Sequence, residues 1–234
     1  AAVLAVVTAF FGGLALGGLA LGPRIDSSRR PSRWYAACEA VIGLWSVALA
    51  FLMAPVSQWL LLLTGARPSA AWQWSVAFCG TFLLLLPATV AMGATLPAME
   101  RMMVRLQREG SSIAALYAAN TFGAFIGVLA VAFWLVPQFG LARAAATCAA
   151  LNLLCAAVTL ALFDDASAPT APQPPAPPAR TQPALLAATG LLGIGYEVLV
   201  VRVLRQVTEN TVYTYAMLLA GYLAGTALGA PWYR

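Results

Sequence analysis

Seven apolar runs, each long enough to cross a lipid bilayer, limit the fold of this chain more than any other feature. They cover residues 1–22, 34–54, 71–97, 113–136, 141–163, 184–207 and 209–231. A helix needs about 20 mostly apolar residues to cross the hydrocarbon core. Such runs are too long for strands, and the ten-residue alternation of a membrane barrel is absent. The residue types agree. Of 234 residues, 62% are hydrophobic and 9% are charged, against about 25% charged in soluble domains. Too few polar side chains exist to cover a water-facing surface. The expected fold is all-α, a polytopic transmembrane helical bundle of about seven helices.

The connections set the orientation. The formal charge is +5, and every cationic side chain is Arg, with no Lys and no His. A basic chain can bind nucleic acid, but these Arg residues lie between apolar runs and not on one polar face. The positive-inside rule accounts for them, so no nucleic-acid partner is expected. Segment 23–33 (PRIDSSRRPSR) holds Arg24, Arg29, Arg30 and Arg33 against Asp26. Segment 98–112 holds Arg101, Arg105 and Arg108 against Glu100 and Glu109. Two crossings separate these segments, which places them on one side. The intervening segment 55–70 carries Arg67 as its one charge, and the turn 137–140 carries none. Segments 23–33, 98–112 and 164–183 are therefore expected on the cytoplasmic side of a bacterial-type inner membrane. Residue 1 then starts outside. An even number of crossings predicts one more helix before it, and the chain reads as a fragment cut at both ends. Segment 55–64 opens with Pro55 and is too short to cross. It is expected to form a short interfacial helix on the outer face, with Trp59 at headgroup depth.

Segment 164–183 is the one clear linker. Seven of its residues are Pro, which lacks the amide donor and disfavours helix. It divides the chain into a first block, 1–163, with five helices, and the start of a second, 184–234, with two. A weak repeat relates the blocks. A shift of 207 aligns Ala9 with Ala216, Leu16 with Leu223 and Gly18 with Gly225, and it aligns 20–22 with 227–229. Gly18 and Gly22 in one block, and Gly221, Gly225 and Gly229 in the other, are expected to let helix backbones approach closely. Pro87 and Pro97 each remove a helical hydrogen bond and are expected to kink their helix.

Ionisable groups inside apolar runs are the candidate functional residues, since each costs about 2.5–3.5 kcal/mol on insertion scales. Glu197 falls near the middle of its run and Arg205 near the outer end. Arg202 lies five positions beyond Glu197, about 140° around the helix, so the two point to different faces. Glu39 lies about one turn inside the run 34–54, where Arg24, Arg29 or Arg33 is the expected partner. Tyr117 and Asn120 need hydrogen-bond partners on neighbouring helices. No metal site is expected. Cys38, Cys79, Cys148 and Cys155 form no C-x-x-C, and there is no His. Cys148 and Cys155 sit two turns apart, about 10 Å by helical rise, too far for a disulfide. They read as small apolar side chains. No catalytic constellation is visible. Asp164 and Asp165 are adjacent and read as a solvated pair.

Three stretches together resemble a known family. GIGYEVLVVRVLRQVTENTVYTYAMLLAGYLAGTALG (193–229), LPATVAMGATLPAM (86–99) and ALYAANTFGAFIGVLAVAFWLVPQFGL (115–141) are similar to helices of membrane-embedded spermidine-synthase-like proteins. These are also described as fused major-facilitator/spermidine synthase proteins. Residues 18–30 look like a shortened inner loop of major facilitator proteins. The resemblance implies a major-facilitator-like bundle attached to an aminopropyltransferase-like enzyme domain. That domain would lie beyond Arg234 and use decarboxylated S-adenosylmethionine as co-substrate. None of its motifs falls within these residues, so no cofactor and no catalytic residue is expected here. Glu197, Arg202, Glu39, Tyr117 and Asn120 are the candidates for handling a polyamine or another small solute. The alternatives are a stand-alone small-solute transporter of the major facilitator type and a scaffold subunit of a membrane complex. The lipid bilayer is the expected partner in every case.

Overall fold

The computed structural model describes residues 2–65, 67–105, 111–163, 182–207 and 211–229. Every regular element among them is helical. In chain order these are α1 (Ala2–Asp26), α2 (Pro31–Thr64), α3 (Ala70–Arg105), α4 (Ser111–Ala130), a π-helical turn (Val131–Leu135), α5 (Val136–Leu162), α6 (Gln182–Val207) and α7 (Val212–Gly229). Among the described residues, four stretches are long and apolar enough to cross a membrane: Val6–Asp26, Pro31–Thr64, Ala70–Met103 and Ala118–Leu162. Ala187–Val200 and Val212–Leu228 are shorter apolar helices.

Two helices run further than their prolines suggest. α2 continues through Pro55 to Thr64 and is 34 residues long, so segment 55–64 is not a separate interfacial helix. Pro55 is exposed, and one missing donor costs a long apolar helix less than ending it would. Residues 61–64 instead close a hairpin. The Gly65 amide donates to Leu61 O (3.2 Å), and Gly65 takes φ 76°, a left-handed conformation that suits glycine. The Trp72 indole then donates back across the turn to Leu63 O at 3.1 Å. α3 likewise runs through Pro87 and Pro97 to Arg105, so residues 98–105, expected in a connection, are helical. Here the Trp45 indole on α2 donates to Leu84 O at 2.8 Å, supplying a partner beside the position where Pro87 interrupts the ladder.

The 45-residue stretch Ala118–Leu162 is not one rod. Gly140 has φ 76° and ψ 168° inside α5, which breaks the helix there. This matches the uncharged turn expected at 137–140. The helix before it carries the π turn Val131–Leu135.

The chain divides into two compact units. The first comprises Ala1–Gly110 and Phe139–Thr170, and the second Ser111–Gln138 and Ala171–Arg234. In the first, α3 packs against both α1 and α2. α1 and α3 run parallel, as the order of their contacts shows: Gly13 meets Thr89, Gly17 meets Val90, Gly18 lies by Gly93, and Gly22 lies by Pro97. Parallel packing puts Asp26 within electrostatic reach of Glu100. Segment 23–33 and the C-terminal end of α3 therefore lie at one end of this unit. A core of Ile25, Cys38, Ile42, Ala91, Ala94 and Ala98 fills the junction.

In the second unit α7 packs on α4 and on the π turn. Ala216, Ala220 and Thr121 are buried, and the Phe133 and Tyr213 rings lie 5.3 Å apart. The linker 164–183 falls almost wholly outside the described residues.

Candidate functional site

Among the described residues, the one that combines charge with burial is Glu39, which is 9% exposed. Its position follows from the start of α2. Pro31 occupies the first turn of the helix, where its fixed φ suits a helix start and its missing amide is not needed. Pro31 and Ser32 are buried, which fixes the helix end in the bundle. Eight residues on, about 12 Å along the axis, the Glu39 side chain meets apolar surroundings. Tyr35 stands one turn earlier on the same face, and its hydroxyl donates to the Glu39 carboxylate. The Tyr35 ring packs on the core around Ile25 and Cys38.

The opposing wall is α5. Gly43 lies one turn beyond Glu39 on that face. A β-carbon on Gly43 would stand 3.0 Å from Ala149 O, 3.3 Å from Asn152 Cβ and 3.4 Å from Leu153 Cγ. Glycine thus permits α2 and α5 to cross closely. Tyr35 is within electrostatic reach of Cys155, so lower numbers on α2 face higher numbers on α5, and the two helices are antiparallel. Ala156 and Thr159, on the next turns of α5, are buried. The Asn152 amide donates to Cys148 O on its own helix at 3.1 Å. The result is a buried carboxylate on a narrow helix–helix seam, with a phenol to orient it. A group of this kind holds a proton or a cationic ligand, because a lone negative charge in hydrocarbon is costly.

The expected ion pair to Glu39 does not form among the described residues. Arg24 instead donates Nη1–H to Ala20 O at 2.9 Å, and Arg29 and Arg33 are exposed. Arg33 precedes Glu39 by six positions, about 240° around the helix, so its stem leaves from another face. Asn120 on α4 and Arg202 on α6 are exposed. The side chains of Tyr117, Glu197 and Arg205 lie outside those described. The structure therefore brings Glu39 together with Tyr35, while Asn120 and Arg202 belong to the second unit. Tyr35 escaped the sequence analysis, although its i, i+4 spacing to Glu39 was the signal that pointed to it.

The packing glycines divide in the same way. Gly18 and Gly22 lie 3.7 Å from Gly93 O and 4.0 Å from Pro97 Cγ, measured from an added β-carbon. Gly221 and Gly225 meet nothing within 4 Å, and the surroundings of Gly229 lie outside those described. The closest approaches fall on Gly13, Gly17 and Gly93, none of which the sequence had singled out.

The second unit holds a half-open apolar groove lined by Ala118, Phe122, Phe125, Ala224, Ala227 and Leu228. It offers shape but no polar group for recognition. Among the described residues no group of His, Cys, Asp and Glu is placed to hold a metal. The four cysteines are free. No family model, no curated protein and no solved structure matches this chain.

Proposed function

We propose that this chain is the transmembrane domain of a spermidine-synthase-like membrane protein, and that Glu39 with Tyr35 contacts its cationic substrate or product. The observation that carries the proposal is the buried Glu39 carboxylate, whose described partner is a neutral phenol. A polyamine supplies the positive charge such a group lacks. The family part of the proposal rests on the resemblance of the three motif stretches. One of them, 86–99, also forms the tightest helix contact of the first unit, where Val90 and Gly93 meet Gly17 and Leu14. Its small residues thus have a physical role.

In this reading the bundle is of the major facilitator type with about seven crossings, the break at Gly140 turning one long stretch into two. The membrane is a bacterial-type inner membrane, with 23–33, 98–112 and 164–183 on the cytoplasmic side. An aminopropyltransferase-like domain elsewhere in the protein uses decarboxylated S-adenosylmethionine, and the bundle anchors it. The same buried carboxylate also suits a second reading, a stand-alone transporter for a small cation.

The test is binding of radiolabelled spermidine to the purified chain in neutral detergent. The wild type should bind, and Glu39→Gln should bind at least about tenfold more weakly, as expected for loss of a buried charge pair. Absence of spermidine binding, or equal binding by the variant, would overturn the reading. Uptake by sealed proteoliposomes would separate transporter from anchor.

A further inference from the structure

The turn joining α1 and α2 is held in shape by its own hydrogen bonds. The Ser27 hydroxyl donates to Pro23 O (3.0 Å) and to Arg24 O (3.1 Å). The Ser28 amide donates to Ile25 O at 2.9 Å. The Arg30 amide donates to Ser28 Oγ at 3.1 Å, and the Trp34 amide to Arg30 O at 3.3 Å. Buried Ile25, Pro31 and Ser32 tie both ends of the turn to the bundle. From this frame Arg29, Arg30 and Arg33 project as exposed side chains. Among the described residues no carboxylate pairs with them. Arg24 is also exposed, with one of its donors used on Ala20 O.

We propose that this turn is a binding surface for the phosphate headgroups of anionic phospholipids. Three observations converge. The turn joins the ends of two helices that are each long and apolar enough to cross a membrane, and in the membrane reading proposed above such an end lies at headgroup depth. It carries four Arg against one Asp, a net of three positive charges in 23–33. Its cations are all guanidinium, in a chain without Lys. A guanidinium presents a planar fork of donors that grips phosphate oxygens in pairs, whereas an ammonium acts as a point charge. Basic groups near an anionic surface each add to the attraction. A turn already held by its own hydrogen bonds loses little backbone freedom when a headgroup binds. The contact fixes the depth of the α1–α2 junction, and with it the depth of Glu39 about two turns into α2.

The test is lipid retention, read by native mass spectrometry of the full chain purified in neutral detergent. Dioleoylphosphatidylglycerol and dioleoylphosphatidylcholine are offered at equal concentration. The wild type should retain the anionic lipid at least about fivefold over the zwitterionic one. R29Q/R30Q/R33Q should lose that preference, whereas R67Q/R143Q, which removes two exposed cations elsewhere, should keep it. The triple Lys variant keeps the charge that sets insertion, and its preference should fall at least about twofold below the wild type. Equal retention of the two lipids overturns the proposal. So does an equal loss in the R67Q/R143Q control, or a Lys variant that matches the wild type. Loss of the wild-type preference in excess inorganic phosphate would assign the turn to free anions and would likewise overturn it.

Discussion

Glycine serves opposite ends in the two units. In the first, a β-carbon on Gly13 would overlap the Thr89 side chain, one on Gly17 would overlap Val90 O, and one on Gly93 would overlap Leu14 O. Gly17 and Gly93 face another backbone and Gly13 a buried threonine, so none of the three has room for a larger residue. In the second, Gly123, Gly127, Gly221 and Gly225 have nothing within 4 Å of where a β-carbon would sit. There α7 packs on α4 and buries Ala216 and Ala220, while Gly123, Gly221 and Gly225 are exposed. Two helices can thus carry the same small-residue spacing while only one uses it within its own unit. What decides is the residue across the seam, and spacing alone does not reveal it.

Substitutions can break this contrast. The largest effect should come from Gly93→Leu. The added side chain must displace the α1 backbone, and overpacking costs about 1–3 kcal/mol or more. A fall of several degrees in the unfolding midpoint in detergent should accompany loss of the α1–α3 contact. An unchanged midpoint would mean that the seam is not tight. Next comes Trp45→Phe, which removes the indole hydrogen bond to Leu84 O that ties α2 to α3. Loss of one buried partner costs about 1–3 kcal/mol, and the same thermal scan reads it. Glu39→Gln should change stability by less than its effect on spermidine binding, because the amide keeps the Tyr35 hydrogen bond. A large loss of stability without a binding effect would make Glu39 purely structural. The smallest effect should come from Gly225→Ala. In open helical surroundings it should stabilise by about 0.5–1 kcal/mol through helix propensity. A marked destabilisation would show that this face is occupied after all.

The helices were legible because their apolar runs are long, and the turn at Gly140 was legible because Pro137 and Gly140 bracket an uncharged gap. Helix ends were less so. Pro55 looks like the head of a separate segment and residues 98–105 like part of a connection, yet α2 passes through Pro55 and α3 runs on to Arg105. A proline deletes one hydrogen bond, and neighbouring groups absorb that loss. At the site, the sequence identified Glu39 as a charge inside an apolar run but assigned it to the nearby Arg residues. Closeness in sequence suggested that pairing, and helical angle opposes it. The α1–α3 seam was partly visible through Gly18 and Gly22. Its tightest points, Gly13 and Gly17, required knowledge of which face meets Thr89 and Val90.

The central claim is that α1 and α3 run parallel across lipid, with the Arg-bearing turn and the end of α3 on one side. Its most direct test is sided thiol labelling of single cysteines at Ser28, Met103 and Ser69, in a chain whose four native cysteines are replaced. The account predicts that Ser28→Cys and Met103→Cys react with a membrane-impermeant maleimide from one face, and Ser69→Cys from the other. Labelling of Ser28→Cys and Met103→Cys from opposite faces would contradict it.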